Sequence, residues 1–127
     1  MKLLTKEIAA KLVAADTEAA RQRPADRTPV VVKFFTPWAN ATWMISSGTP
    51  VDGNGEPCDP ADATDWHLFG HCNLGDPTCA ELGYVMLSDL SGLRGPAGLK
   101  IERDLYTSDL GTLQDAIDAC KRQVSGW

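Results

Sequence analysis

Apolar residues recur at helical spacing near both ends of the chain and alternate with polar ones through its middle. Behind Thr5, a side chain suited to cap a helix, Ile8, Leu12 and Ala15 or Ala19 fall on one helical stripe, and the alanine-rich run to Ala20 favours the same state. Pro24 should end this helix near Arg21 or Gln22. Pro29 then opens Val30-Val31-Val32-Lys33-Phe34-Phe35, which places Val30, Val32 and Phe34 on one strand face and Val31, Lys33 and Phe35 on the other. A lysine inside that run predicts a face that meets solvent or a carboxylate. Thr36-Pro37 closes the strand, and Ala41-Thr42-Trp43-Met44-Ile45-Ser46 reads as a second one, joined to the first around Trp38 to Asn40.

Residues 47–65 are almost wholly Gly, Pro, Asp, Asn, Ser, Thr and Ala, a composition that buries too little apolar surface to form a core element. They are expected to form one long loop. Strand character returns at residues 66–72 and again at 82–87, with a turn at Gly75-Asp76-Pro77 between them. Ser88 is placed to cap a short helix over residues 89–93, ended by Gly95-Pro96, and Leu99-Lys100-Ile101 should form a brief edge strand. Thr112 with Asp115 resembles a capping box, followed by Leu113, Ile117, Cys120 and Val124 on one stripe, so a last helix should pack on the sheet. Cys120 in that stripe reads as a small core residue. The expected architecture is a single α+β domain, a mainly antiparallel sheet of about four to five strands packed against N-terminal and C-terminal helices.

With 127 residues, 43% of them hydrophobic, the chain suits one domain over residues 1–127. Lys6 and Glu7 interrupt the start before an apolar segment of about 7–15 residues can develop, which argues against a secretory signal. No run approaches the roughly 18 apolar residues of a membrane span. A soluble cytoplasmic protein is expected, with Cys58, Cys72, Cys79 and Cys120 as reduced thiols. The net charge of −5 is unevenly spread. Between Lys33 and Arg94 there is no Lys or Arg, while Asp52, Glu56, Asp59, Asp62, Asp65, Asp76, Glu81 and Asp89 all fall in that interval. Such a segment repels phosphate, which disfavours nucleic acid as a partner.

Several blocks occur in order along the chain: Met1-Lys2-Leu3-Leu4-Thr5-Lys6-Glu7, Val32-Lys33-Phe34-Phe35-Thr36-Pro37, Ala41-Thr42-Trp43, Leu68-Phe69-Gly70, Glu81-Leu82-Gly83-Tyr84 and Ile101-Glu102-Arg103-Asp104-Leu105. Together they resemble the family catalogued as domain of unknown function 2958, small proteins encoded on bacterial plasmids, integrative elements and phages. The resemblance covers nearly the whole chain. It implies an accessory role on a mobile element and brings no agreed activity with it.

Among candidate sites, Glu81, Glu102 and Asp104 could together hold a hard divalent cation, with Arg94 or Arg103 neutralising a phosphate. The same charges suit a structural network in which the arginines pin turns. Cys58, His67, His71, Cys72 and Cys79 include zinc-ligating types, but no paired C-x-x-C knuckle occurs, and His67 and His71 lie about 13 Å apart along one strand face. No metal and no cofactor is favoured. Asp52-Gly53-Asn54-Gly55-Glu56 mimics the opening of a calcium loop, yet Pro57 and Ala63 stand where glycine and a bidentate glutamate belong. Trp38, Trp43, Trp66 and Tyr84 could offer a stacking surface; Trp43 and Trp66 belong to predicted strands, leaving Trp38 as the expected exposed ring. No phosphate-loop, dinucleotide or nucleophile-elbow motif occurs.

A non-enzymatic interaction protein is therefore expected, binding a protein partner through Trp38, the acidic Asp52, Glu56, Asp59, Asp62 and Asp65, and Arg94 and Arg103. The alternative is a metal-dependent nuclease acting on single-stranded DNA through Glu81, Glu102 and Asp104.

Overall fold

Thr5 accepts a hydrogen bond from the Ile8 amide (3.2 Å) and starts helix α1, Lys6–Ala15. In the computed structural model, residues 2–105 and 109–125 are described, with only the backbone of Glu18, Arg21, Pro77, Val124 and Ser125. The predicted first helix breaks at Asp16. Thr17 supplies a second cap there, its hydroxyl accepting from the Ala20 amide (3.1 Å), and the chain resumes as the short α2, Glu18–Arg21.

Five strands follow: β1 Val32–Phe35, β2 Thr42–Val51, β3 Asp65–Asn73, β4 Glu81–Met86 and β5 Glu102–Arg103. They form one antiparallel sheet in the order β4-β3-β2-β1-β5, so β4 and β5 are its edges. Helix α3, Leu87–Gly92, continues from β4, and α4, Leu113–Ser125, ends the described chain. The expected α+β domain is the one observed.

Pleat alternation divides the side chains between two faces. On the first, Phe34 pairs with Trp43 and Val32 with Ile45, and these pack with Leu68, Trp66, Leu12 of α1 and Leu90 of α3. Phe34, Leu12, Ile45 and Leu68 are wholly buried, each contributing roughly 1.5–3 kcal/mol relative to exposure. The second face carries His67, Phe69, His71 and Asn73. There the Asn73 amide donates to Cys120 Sγ of α4 (3.5 Å), and Leu113 and Ala116 are buried beneath the same helix. The predicted capping box forms: Thr112 N donates to Asp115 Oδ2 (2.8 Å), and Asp115 N to Thr112 Oγ1 (3.2 Å). Of the predicted apolar stripe, the Val124 side chain lies outside the described residues. Lys33 finds its carboxylate in Asp104, 4.0 Å away.

Three boundaries differ from expectation. Strand β2 runs through Val51 rather than ending at Ser46, which shortens the loop to residues 52–64. Gly48 and Pro50 read as loop residues, but beyond Ile45 the only strand paired with β2 among the described residues is β3, its other side meeting just the loop at an isolated Val51–Pro57 bridge. Proline is tolerated because its backbone faces away from β3, where its carbonyl accepts from the Cys58 amide (3.0 Å). Helix α3 begins two residues early, with Met86 at the cap position and Ser88 inside the first turn. The last edge strand is Glu102–Arg103, while Ile101 before it is buried in the core.

The β2–β3 register shifts at Ser46, the extra residue of a bulge between Ile45 and Ser47. Opposite that bulge lies Gly70, where a β-carbon would meet the Met44 carbonyl oxygen at 2.1 Å and the Ile45 Cα at 2.7 Å. Both are backbone atoms in the middle of the sheet, so a side chain there must move a strand. Gly70→Ala is expected to cost about 3 kcal/mol or more of unfolding free energy, read as a lower urea midpoint. A cost within about 0.5 kcal/mol would mean the two strands are not held this closely.

Candidate functional site

The bulge turns two consecutive hydroxyl residues, Ser46 and Ser47, toward the second face. With Thr49, His67 and Phe69 they line a groove of about 300 Å³, walled on one side by residues 15–29 and closed by Leu113. The break between α1 and α2 sits against it, because the Thr49 hydroxyl donates to the Asp16 carboxylate. Arg23 supplies a guanidinium to the wall. Leu82 and Tyr84 of β4 form the rim, and the Tyr84 ring stacks on His67 with centroids 4.5 Å apart and planes 9° from parallel. Tyr84 remains 63% exposed. Ser46 donates to the Phe69 carbonyl (3.4 Å) and Thr49 to Asp16, so neither hydroxyl is directed at an imidazole as acyl-transfer chemistry would need. The lining is apolar and aromatic with scattered polar groups, a surface suited to binding.

His71 also lies on the second face, where it is buried opposite Met44 and Leu82, and burial pushes its imidazole below the usual range. Cys72 points to the opposite face, paired with Trp43, and its thiol is pushed up first by burial and then by the Glu81 carboxylate. Cys58 is in the loop after β2, pushed up by partial burial and by Asp52, Asp62 and Asp59 around it. Cys79 belongs to the turn between β3 and β4, at the other end of β3. These five zinc-type residues are thus spread over two faces and two ends of the sheet. Among the described residues no group of three or more His, Cys, Asp or Glu is placed to share a metal ion.

The three candidate carboxylates are not brought together either. Glu81 opens one edge strand and Glu102 lies on the other, four strand spacings away, or about 19 Å at roughly 4.8 Å each. Asp104 faces Lys33 beside β5. Both arginines donate to main-chain carbonyls. Arg94 Nη1 donates to Ser91 O (2.7 Å) and Leu93 O (2.8 Å), and Arg103 Nη1 to Lys2 O (2.9 Å) and Leu3 O (3.4 Å). Trp38 is not the exposed ring: it is half-buried against the core, and a β-carbon on Gly95 would meet its ring at 2.2 Å.

The central acids fall into two groups. Asp52, Glu56, Asp59, Asp62 and Asp65 gather at the β2–β3 end, joined by Asp89 through the first turn of α3. Asp76 and Glu81 sit at the far end of β3, about 26 Å away at ~3.3 Å per residue. Asp52 shapes its own turn, Oδ1 accepting from the Asn54 (2.9 Å) and Glu56 (3.1 Å) amides. Asp76 caps the far turn; hydrogen bonds from the Thr78 hydroxyl and amide hold its carboxyl below the usual range.

A family model described as Protein of unknown function (DUF2958) matches residues 3–125. The chain belongs to the DUF2958 family. Comparison with curated proteins and with solved structures returned no match. In this DUF2958 protein the described residues include no helix long and apolar enough to cross a membrane.

One carboxylate of the DUF2958 protein has a structural duty its sequence did not advertise. Asp65 reaches from β3 to cap α3, accepting from the Ser88 amide (3.0 Å) and hydroxyl (2.6 Å) as well as from the Trp66 amide (2.8 Å). Partial burial alone would raise its pKa, but these hydrogen bonds outweigh it and hold the carboxyl below the usual range. A carboxyl depressed in the folded state stabilises above its unfolded pKa, and that contribution is lost as pH falls through the folded value. Asp65→Ala should therefore cost about 1 kcal/mol in urea unfolding at pH 7, with the gap to the native protein closing in acid. An equal gap at pH 7 and at pH 2 would contradict the cap.

Proposed function

We propose that the protein is a non-enzymatic interaction module that docks a basic protein partner through its acidic central segment, in the cytoplasm of a host that carries a mobile genetic element. Ion pairing carries this reading. The described salt bridges are Lys11–Glu7 at 3.4 Å and Lys33–Asp104 at 4.0 Å, so among the described residues none of the eight central acids is neutralised by a lysine or arginine. Glu56, Asp59, Asp62, Asp76, Glu81 and Asp89 are exposed. Unpaired surface charge of one sign raises the rate at which an oppositely charged protein is captured and rejects polyanions. Nucleic acid enters as a competitor for the same basic partner rather than as a ligand. The nuclease alternative needed Glu81, Glu102 and Asp104 at one ion, and their separation over opposite edges removes its geometric support.

The test compares the protein with an Asp52→Asn/Glu56→Gln/Asp59→Asn/Asp62→Asn variant, in which asparagine at residue 52 keeps the acceptor that shapes the turn. Immobilised in nuclease-treated host lysate, the native protein should retain basic proteins that salt releases, and the variant should retain at least about tenfold less. Equal retention by both, or cutting of single-stranded DNA when manganese is added, would overturn the docking role.

A further inference from the structure

Strand β4 is an open edge. It pairs with β3 along Glu81–Met86, and among the described residues no hydrogen bond outside that ladder engages the backbone of residues 81–85, while Met86 caps α3. Edge strands are ordinarily shielded by lysine, proline, bulges, short length or a covering element. The opposite edge follows that rule, since β5 is two residues long. Six-residue β4 has no lysine or proline, and its register against β3 runs without a bulge. Its second-face side chains, Leu82 and Tyr84, are 39% and 63% exposed, and a β-carbon on Gly83 would meet nothing within 4 Å.

Charge brackets the same strand. Asp76 and Glu81 stand at its start, Asp65 and Asp89 at its end, and neither β3, β4 nor the turn between them carries a lysine or arginine. Among the described residues, the lysine or arginine that lines the neighbouring groove is Arg23, on the far wall formed by residues 15–29.

We infer that β4 accepts an extended, positively charged, proline-free segment of a partner protein as a sixth strand. Main-chain hydrogen bonds to the free edge supply affinity. Alternate side chains of the added strand lie over Leu82 and Tyr84, and the intervening ones stand beside Glu81, where lysine or arginine is favoured. A second copy of this chain fits less well, because antiparallel pairing of two β4 strands brings like-charged ends together. Strand addition presupposes the docking role proposed above and specifies its geometry.

The probe is a ten-residue peptide alternating lysine and valine, titrated into the isotopically labelled full chain while backbone amides are followed by nuclear magnetic resonance. Two further peptides serve as controls, one with two central valines replaced by proline and one with glutamate for lysine. The expected result is saturable shifts and slowed hydrogen exchange at alternate amides of Glu81–Met86, with the proline peptide at least tenfold weaker and the glutamate peptide inert. Equal binding of the proline peptide, or shifts confined to residues 52–64, overturns strand addition while leaving acidic docking in place. No binding of the lysine–valine peptide overturns strand addition too; the docking role is then judged separately by retention of basic proteins on the charge-neutralised variant. Protection of β4 that appears without peptide and grows with protein concentration assigns the edge to a second copy and overturns the inference.

Discussion

The close approach of Gly70 to the Met44–Ile45 backbone fixes how the two longest strands lie against each other. Because strand side chains alternate, a slip of one residue would exchange the faces of a whole strand. The bulge at Ser46 absorbs one residue where the strands are tightest, so that Trp43 and Ile45 before it and Gly48 and Pro50 after it all serve the first face. The core with Leu12, Leu68 and Trp66 follows from that phase. So does the groove, since Ser47 and Thr49 are left on the second face with His67 and Phe69.

The same sheet explains why the acidic segment behaves as two groups. Strand β3 carries the chain from Asp65 to the turn at Asp76, and β4 brings it back, so negative residues collect at both ends of this pair while its length is uncharged apart from Glu81. Some acids are occupied structurally: Asp65 caps α3, and Asp52 and Asp76 shape their turns. The remaining charge flanks an edge whose outward hydrogen-bonding groups, from residue 81 to 85, have no partner among the described residues. Electrostatics and backbone chemistry thus point to the same side of the molecule.

Elements with strong alternation or helical spacing were legible in the sequence, including β1, β3, β4 and the capped α4. The extension of β2 was hidden because Gly48 and Pro50 resemble loop residues until it is known that β1 no longer flanks the strand beyond Ile45. The break after α1 was hidden by alanine-rich composition, although Thr17 carried the signal of a second cap. Tyr84 and the acids were visible as candidates, whereas Trp38 was misplaced because Gly95, distant in sequence, covers it. Strand order was the decisive unknown. Local pattern does not say which strands become edges, and that choice separates Glu81 from Glu102 and leaves β4 open.

Hydrogen exchange of the free protein, followed amide by amide at low protein concentration, tests the open edge most directly. Along Glu81–Met86, amides directed at β3 should be protected while their alternate neighbours exchange at near-unprotected rates. Uniform protection along the strand, independent of protein concentration, would show that the chain itself covers this edge and would contradict the account.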